Sequence, residues 1–186
     1  MARVDHHGAD LEALGLRCAP VDDLARSAAG EIGFGDLGEI ALFEAYVAAP
    51  GGRINLAGMS SPGEIIPSPA GQTPDLQVQP ERASGPIGIH GSIVDVRGVP
   101  SGNVFIRSGR LVLDQGSWVT ADNYGGAAGG GVEIGTGTLE LSGGSVISAD
   151  SLWTGRGGPV SVEATDSVRL TDTYTALSSA AWASGD

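Results

Sequence analysis

Aliphatic residues recur at one fixed interval in the second half of the 186-residue chain. Val104, Val132 and Val160 lie 28 apart (132 − 104 and 160 − 132), and one residue inserted after Ala164 shifts the later positions of the third copy by one. So many matches at one offset define a tandem repeat. The matched sets are Val104, Val132 and Val160; Ile106, Ile134 and Val162; Leu111, Leu139 and Val168; Leu113, Leu141 and Leu170; Val119 and Ile147; and Ala121 and Ala149.

Each copy of the repeat has the pattern of short β-strands. Apolar and polar residues alternate in stretches of three to five residues, such as 104–107, 111–114 and 119–122. A period of two in Val, Ile, Leu and Thr indicates strands with one buried and one solvated face. Gly, Ser and Asn separate the stretches, which is typical of turns.

Two architectures use a repeat of this length: stacked antiparallel hairpins and a coil of three strands per turn. The Asn-Gly and Asp-Gly turns that mark two-residue hairpins do not occur between these strands. The sequence therefore predicts a parallel β-helix, in which each strand pairs with its equivalent one coil later, about 4.8 Å away. Like residues then stack inside a narrow tube, and stability requires about three coils or more.

The rest of the chain follows the repeat less closely. We expect residues 1–37 to form an irregular or weakly helical leader, or to be disordered, and residues 38–186 to form the β-helix. The six prolines from Pro62 to Pro86 predict a surface excursion at about 60–86, because proline cannot donate to a strand ladder. Ile87 precedes Val104 by only 17 positions (104 − 87), which predicts a shorter coil there.

Composition excludes several classes of protein. Asp and Glu number 22 against 10 basic residues, all arginine, and the net charge is −12. A chain this acidic repels phosphate backbones and anionic lipid, so we expect no nucleic-acid partner. No apolar run approaches the length of a transmembrane segment, and no signal peptide is visible in the first residues. Cys18 is the single cysteine, which excludes an intrachain disulfide.

Five stretches in the order found here resemble filamentous-haemagglutinin-like exoproteins of two-partner secretion systems. The resemblance covers about residues 38–186 and implies a right-handed parallel β-helix within a very large bacterial surface protein. It also implies secretion through an outer-membrane transporter, an extracellular location for the parent protein, and adhesion to a glycan or protein on a host or neighbouring cell. The stretches are APGGRINL at 49–56, SPGE at 61–64, GNVFIRSG at 102–109, GGSVISA at 143–149 and RGG at 156–158.

The chain departs from that family in two ways. The family's signal peptide and secretion domain are not visible before Glu39, and the sequence stops at Asp186, where another copy of the repeat is expected. We therefore expect a fragment of a longer exoprotein. The expected function is a non-enzymatic stalk and cell-adhesion module, an adhesin solenoid. Two alternatives remain open: a β-helix polysaccharide lyase or hydrolase, and a non-functional remnant of a degraded exoprotein gene.

Tyr124, Trp153 and Trp182 lie 29 apart in successive copies (153 − 124 and 182 − 153). The spacing predicts an aromatic column along one corner of the solenoid. Such a strip is a candidate binding surface, because aromatic side chains carry much of the energy at contact surfaces. The alternative is that the three rings only shield the corner and pack on one another.

No other set of residues predicts a catalytic, cofactor or metal site. Asp122 and Asp150 stack at the step of the repeat, but the third copy has Ser178 or Ser179 there, which breaks a calcium ladder. The arginines near the acidic residues are spread over different strands, so no acid/base pair is predicted. His6, His7, His90 and Cys18 lack partners at a recognisable spacing, and we expect the histidines to be exposed and inert.

Overall fold

A computed structural model describes residues 16–17, 26–27, 31–37, 40–60 and 84–182. The described residues form strands, turns and loops, without a helix. Fourteen strands follow one another: β1 Leu16–Arg17, β2 Arg26–Ser27, β3 Glu31–Leu37, β4 Ile40–Phe43, β5 Tyr46–Ala48, β6 Arg53–Met59, β7 Pro86–His90, β8 Ile93–Asp95, β9 Asn103–Asp114, β10 Trp118–Thr120, β11 Val132–Leu141, β12 Val146–Ser148, β13 Val160–Leu170 and β14 Ala176–Ser178.

The strands build a parallel β-helix, which confirms the predicted fold class. About three turns of roughly 28 residues each span residues 86–178. Val104 pairs with Val132, which pairs with Val160, at the step read from the sequence. Nine strands form one sheet, and β5, β8, β10, β12 and β14 form a second sheet of five.

Each long strand of the nine-stranded sheet covers two faces of the coil. Residues 103–107 of β9 pair with β6, whereas residues 110–114 pair with β7. In β11 the buried positions change parity between Thr136 and Leu139, which is where the strand turns from one face to the next. The five-stranded sheet supplies the third face, so each coil is a triangle with a bend, a turn and a loop at its corners.

The core is a set of aliphatic columns along the axis of the solenoid. Leu111 lies over Leu139, Leu113 over Leu141, and Val119 over Ile147, and all six side chains are fully buried. Burial of such side chains contributes about 1.5–3 kcal/mol each. The one-residue insertion after Ala164 is also confirmed, because Leu139 pairs with Val168 after a register shift.

The coil that begins at Ile87 is shorter than 28 residues, with a step of 24 (111 − 87), but the predicted alignment of Ile87 with Val104 is wrong. Ile87 pairs with Leu111, and the partner of Val104 in the preceding coil is Ile54, at an offset of 50 (104 − 54). The coil therefore has an ordinary strand order, with residues 60–85 inserted between β6 and β7. Spacing along the chain misled the prediction, because the insertion lengthens the step between β6 and β9 to 50. The proline-rich residues 61–83 lie outside the described residues.

The N-terminal end of the solenoid lies within the stretch predicted as a leader. Strand β3 covers Glu31–Leu37 and pairs with β6 in parallel, which differs from the irregular or helical structure predicted for residues 1–37. Its other edge pairs antiparallel with β2, and β4 pairs antiparallel with β1. Residues 31–37 belong to no repeat register in the sequence, so only their partner strand identifies them as part of a coil. The remaining boundary between leader and solenoid stays a prediction.

Candidate functional site

The predicted aromatic residues lie at the corner that follows the five-stranded sheet. Parallel bridges join Asn123 to Ser151 and Ser151 to Ala181. Tyr124, Leu152 and Trp182 come next in the three coils and make equivalent backbone hydrogen bonds to the preceding coil. Trp153 is thus one residue past the column. The equivalent positions Tyr124, Leu152 and Trp182 are separated by steps of 28 (152 − 124) and 30 (182 − 152), whereas the three aromatic residues are evenly spaced by 29. The prediction that they form one strict column is therefore wrong.

The three aromatic side chains point into solvent. Tyr124 is 43% exposed, Trp153 is 60% exposed and Trp182 is 71% exposed. Ring stacking among the described residues joins Phe43 and His90 instead, and the corner rings do not stack on one another. Their faces are therefore available to a ligand, which disfavours the alternative that the rings only pack together.

A buried amide fixes the first loop of this corner. The Asn123 side chain is fully buried, and its Nδ2 donates to the carbonyl oxygens of Ala127 at 2.6 Å and Arg156 at 2.9 Å. Its Oδ1 accepts a hydrogen bond from the Gly125 N–H at 2.9 Å. One coil later the Ser151 hydroxyl donates to the Trp153 carbonyl oxygen at 3.0 Å. These bonds hold the aromatic residues on a rigid support.

Two buried carboxylates lie beneath the aromatic residues. Asp122 accepts hydrogen bonds from the Asp150 N–H at 2.9 Å and the Thr120 hydroxyl at 2.8 Å. Asp150 accepts from the Ser178 hydroxyl and the Ala180 N–H, both at 2.7 Å, and from the Trp182 indole Nε1 at 2.9 Å. The next position in this column is Ala180, rather than the predicted Ser178 or Ser179. Both carboxylates thus serve as hydrogen-bond acceptors that order the corner.

A charged network lies beside the same corner, one coil nearer the N-terminus. Arg97 donates to Asp95 from its backbone N–H at 2.8 Å and from its guanidinium at 2.6 and 3.0 Å, and Tyr46 donates its hydroxyl at 2.8 Å. Burial would raise the pKa of Asp95, but these hydrogen bonds and the charge of Arg97 outweigh it and hold the pKa below its usual value. The hydrogen bond to Asp95 raises the pKa of the Tyr46 hydroxyl.

We expect Asp95→Asn to lower the free energy of unfolding at pH 7 by about 1–3 kcal/mol, because Arg97 then donates to a neutral amide instead of a carboxylate. A lowered pKa in the folded state means that this carboxylate stabilises the fold above the unfolded value of 3.8, and that the gain is lost as the pH falls through the folded value. The difference between Asp95→Asn and the wild type should therefore shrink in urea unfolding as the pH falls below about 3.8. Exposed Glu44→Gln is the control; an undiminished difference at pH 3 would contradict the expectation.

His90 is neither lone nor exposed, so this part of the prediction is wrong. Its Nδ1 lies 2.8 Å from Asp114 Oδ1, and its ring stacks on Phe43 with centroids 4.8 Å apart. The strand register brings these three residues together, since Phe43 pairs with His90 and His90 with Asp114. Their offsets in sequence, 24 (114 − 90) and 47 (90 − 43), match no step of the repeat, so no spacing could have found them. His6, His7 and Cys18 lie outside the described residues.

Sequence reasoning also missed a ladder of buried hydroxyls at another corner. Ser117 Oγ accepts the Ser92 N–H at 3.1 Å, and Ser145 Oγ accepts the Ser117 N–H at 3.1 Å. All three serines are fully buried. The signal was present as the step of 28 between Ser117 and Ser145, each directly after a glycine. The ladder gives the N–H groups of Ser92 and Ser117 a hydroxyl acceptor in the next coil.

Two acidic residues on the outer faces form ion pairs with arginines. Glu133 pairs with Arg107, and Glu140 Oε2 lies 3.0 Å from an Arg110 guanidinium nitrogen. Both pairs join neighbouring coils. Phe105 is largely buried, and the carbon of the Arg53 guanidinium lies 5.0 Å from its ring centroid. Among the described residues, no three His, Cys, Asp or Glu side chains are placed to hold one metal ion.

Comparisons with protein-family models, curated proteins and solved structures give no match. The described ranges also hold no helix with the length and hydrophobicity that crossing a bilayer requires.

Proposed function

We propose that this chain is a non-enzymatic adhesion module, which belongs to the stalk of a large secreted bacterial exoprotein and binds neutral glycans of a cell surface at its aromatic corner. The exposed, unstacked rings of Tyr124, Trp153 and Trp182 in successive coils carry the proposal. A sugar presents an apolar C–H face that stacks on an aromatic ring, while its hydroxyls require hydrogen-bonding neighbours.

The support beneath the rings fits such a role. Adjacent coils lie about 4.8 Å apart, so rings in neighbouring coils can contact neighbouring parts of a linear ligand. Preorganisation by Asn123 and Ser151 lowers the entropy that binding must overcome. A net charge of −12 disfavours sulfated or sialylated glycans, which leaves neutral ones.

The wider assignment rests on the five stretches that resemble filamentous-haemagglutinin-like exoproteins. A parallel β-helix is the fold that this resemblance implies, and a non-enzymatic role agrees with acidic residues engaged in ion pairs and structural hydrogen bonds. Two-partner secretion through an outer-membrane transporter, and a location at the cell surface, are parts of the same proposal.

We expect Trp153→Ala to weaken binding to immobilised neutral oligosaccharides about five- to tenfold, because ring stacking on a ligand contributes about 1–1.5 kcal/mol. The probes are glucose-, galactose-, mannose- and N-acetylglucosamine-terminated oligosaccharides, measured by biolayer interferometry. Trp118→Ala is the matched control. That tryptophan is also exposed, but it lies at the start of β10, whereas the aromatic corner follows the end of that strand. Equal effects of the two substitutions, or wild-type binding to none of the probes, would refute the proposal.

A further inference from the structure

An arginine with a fixed side chain lies beside the aromatic corner, in the coil that precedes Tyr124. Arg97 donates to Asp95 from Nε at 3.0 Å and from Nη2 at 2.6 Å, which sets the direction of its guanidinium. The Arg97 side chain is nevertheless 32% exposed, whereas that of Asp95 is 6% exposed. A guanidinium carries more N–H groups than these two bonds use, so oriented donors remain for another acceptor.

Tyr124 lies against this guanidinium. Its N–H donates to the carbonyl oxygen of Gly98, the residue after Arg97, at 3.0 Å. The hydrogen bond to Asp95 raises the pKa of Arg97 against the effect of burial, and a hydrogen bond with the Tyr124 hydroxyl raises it further. The hydroxyl end of the tyrosine ring therefore lies at the guanidinium. A sugar stacked on this ring has its substituents within reach of Arg97.

The carboxylate and amide oxygens of this corner are already used within the protein. The side chains of Asp95, Asp122, Asn123 and Asp150 are buried, and their oxygens accept hydrogen bonds from neighbouring residues and coils. The accessible polar group beside Tyr124 is thus the donor Arg97, and the matching ligand group is an acceptor. An amide carbonyl oxygen is an uncharged acceptor with two lone pairs, which suits a charged donor.

An apolar side chain borders the same tyrosine. Val99 is 74% exposed, and a Cβ added to Gly125, the residue after Tyr124, would lie 3.1 Å from a Val99 methyl carbon. Arg97 and Val99 both belong to the segment that follows β8. A donor and an apolar group beside one aromatic ring match an acetamido group, which has a carbonyl oxygen and a methyl group.

We infer that Arg97 and Val99 select glycans that carry an N-acetyl group, with N-acetylglucosamine as the simplest case. The inference rests on the proposed function, in which Tyr124 stacks on the sugar. Arg97 donates to the acetamido carbonyl oxygen, and Val99 contacts the acetamido methyl group. A sugar carboxylate also suits a guanidinium, but the partner Asp95 and the net charge of −12 disfavour an anionic ligand.

Two trisaccharides test the inference, because N-acetylated chitotriose and cellotriose differ only in the acetamido or hydroxyl group of each sugar. In biolayer interferometry on the full chain, we expect wild type to bind the N-acetylated trisaccharide about tenfold more tightly. Arg97→Gln should reduce this ratio to about twofold or less, since the neutral amide is a weaker donor. Val99→Thr should reduce the ratio by about twofold, since it replaces a methyl group with a hydroxyl.

Arg169→Gln is the matched control, because it removes the same charge from an exposed position on β13 and should leave the ratio unchanged. A merely structural role of Arg97 would weaken both trisaccharides alike, and an unchanged ratio in Arg97→Gln would overturn the inference. Val99→Thr keeps the test decisive if Arg97→Gln fails to fold by circular dichroism, since Val99 is largely in solvent.

The same measurements separate this inference from the proposed function. Equal binding of the two trisaccharides that still depends on Trp153 would overturn the N-acetyl selection alone. Tighter binding of a glucuronate-terminated trisaccharide would also overturn it, because Arg97 would then bind a carboxylate. Binding of none of the sugars would refute the proposed function together with the inference.

Discussion

Gly130→Ala adds one methyl group and is expected to lower the free energy of unfolding of the solenoid by about 3 kcal/mol or more. A Cβ at Gly130 would overlap the carbonyl oxygen of Gly102 in the preceding coil. Gly158 stands in the same relation to the Gly130 carbonyl oxygen. Relief requires movement of backbone that is hydrogen-bonded between coils, because Gly130 N–H itself donates to Ser101. Urea unfolding of Gly130→Ala against wild type measures the effect.

Gly126→Ala is the matched control, four residues away in the same loop. Gly126 is exposed, and the nearest atom to an added Cβ is Thr154 Oγ1 at 3.5 Å, an ordinary contact. We expect a change below about 0.5 kcal/mol. Comparable losses at both positions would show that loop entropy, rather than contact between coils, sets the cost.

Leu139→Ala should destabilise the solenoid by about 2–5 kcal/mol. Leu139 is fully buried between Leu111 and Val168, so truncation leaves a cavity that coils on both sides restrain from collapsing. Truncation at the equivalent position one coil later, Val168→Ala, should cost less than about 1 kcal/mol, because the valine side chain is smaller and is 48% exposed. Urea midpoints compare the two.

The ratio of these two losses reports how stability is distributed along the solenoid. Each coil is stabilised mainly by its neighbours, so a coil with one neighbour contributes less than a coil with two. If Val168→Ala costs as much as Leu139→Ala, the exposure of Val168 does not set its contribution, and this expectation is wrong.

The sequence predicted the strands, the parallel stacking and even the inserted residue after Ala164, because a tube of this kind repeats its side chains at a fixed interval. Its failures have two causes. The spacing wrongly aligns Ile87 with Val104 because residues 60–85 break the interval between β6 and β7, and it misses the contact of His90 with Asp114 because the step there is 24 rather than 28. Where the chain leaves the solenoid and returns, distance in sequence no longer measures distance in space.

The candidate binding surface was also predicted only in part from the sequence. The sequence identified Tyr124, Trp153 and Trp182 as a set, and the structure places all three exposed at one corner. Their exact register depended on the turn lengths of two coils, which shift Trp153 one residue past Tyr124 and Trp182. The hydrogen bonds of Asn123, Asp122 and Asp150 beneath them required the positions of atoms from neighbouring coils.

By itself the sequence determined which residues face the core. When apolar residues alternate with polar ones in every copy of a stacked coil, only one face of each strand can be buried. The tertiary structure alone decided which polar groups meet across coils, such as Asp114 with His90, and which strands pair with β3. Those outcomes depend on contacts between distant segments, whose energies a local pattern does not contain. Thus β3 pairs with β6 on one edge and with β2 on the other, although its residues match no repeat in the sequence.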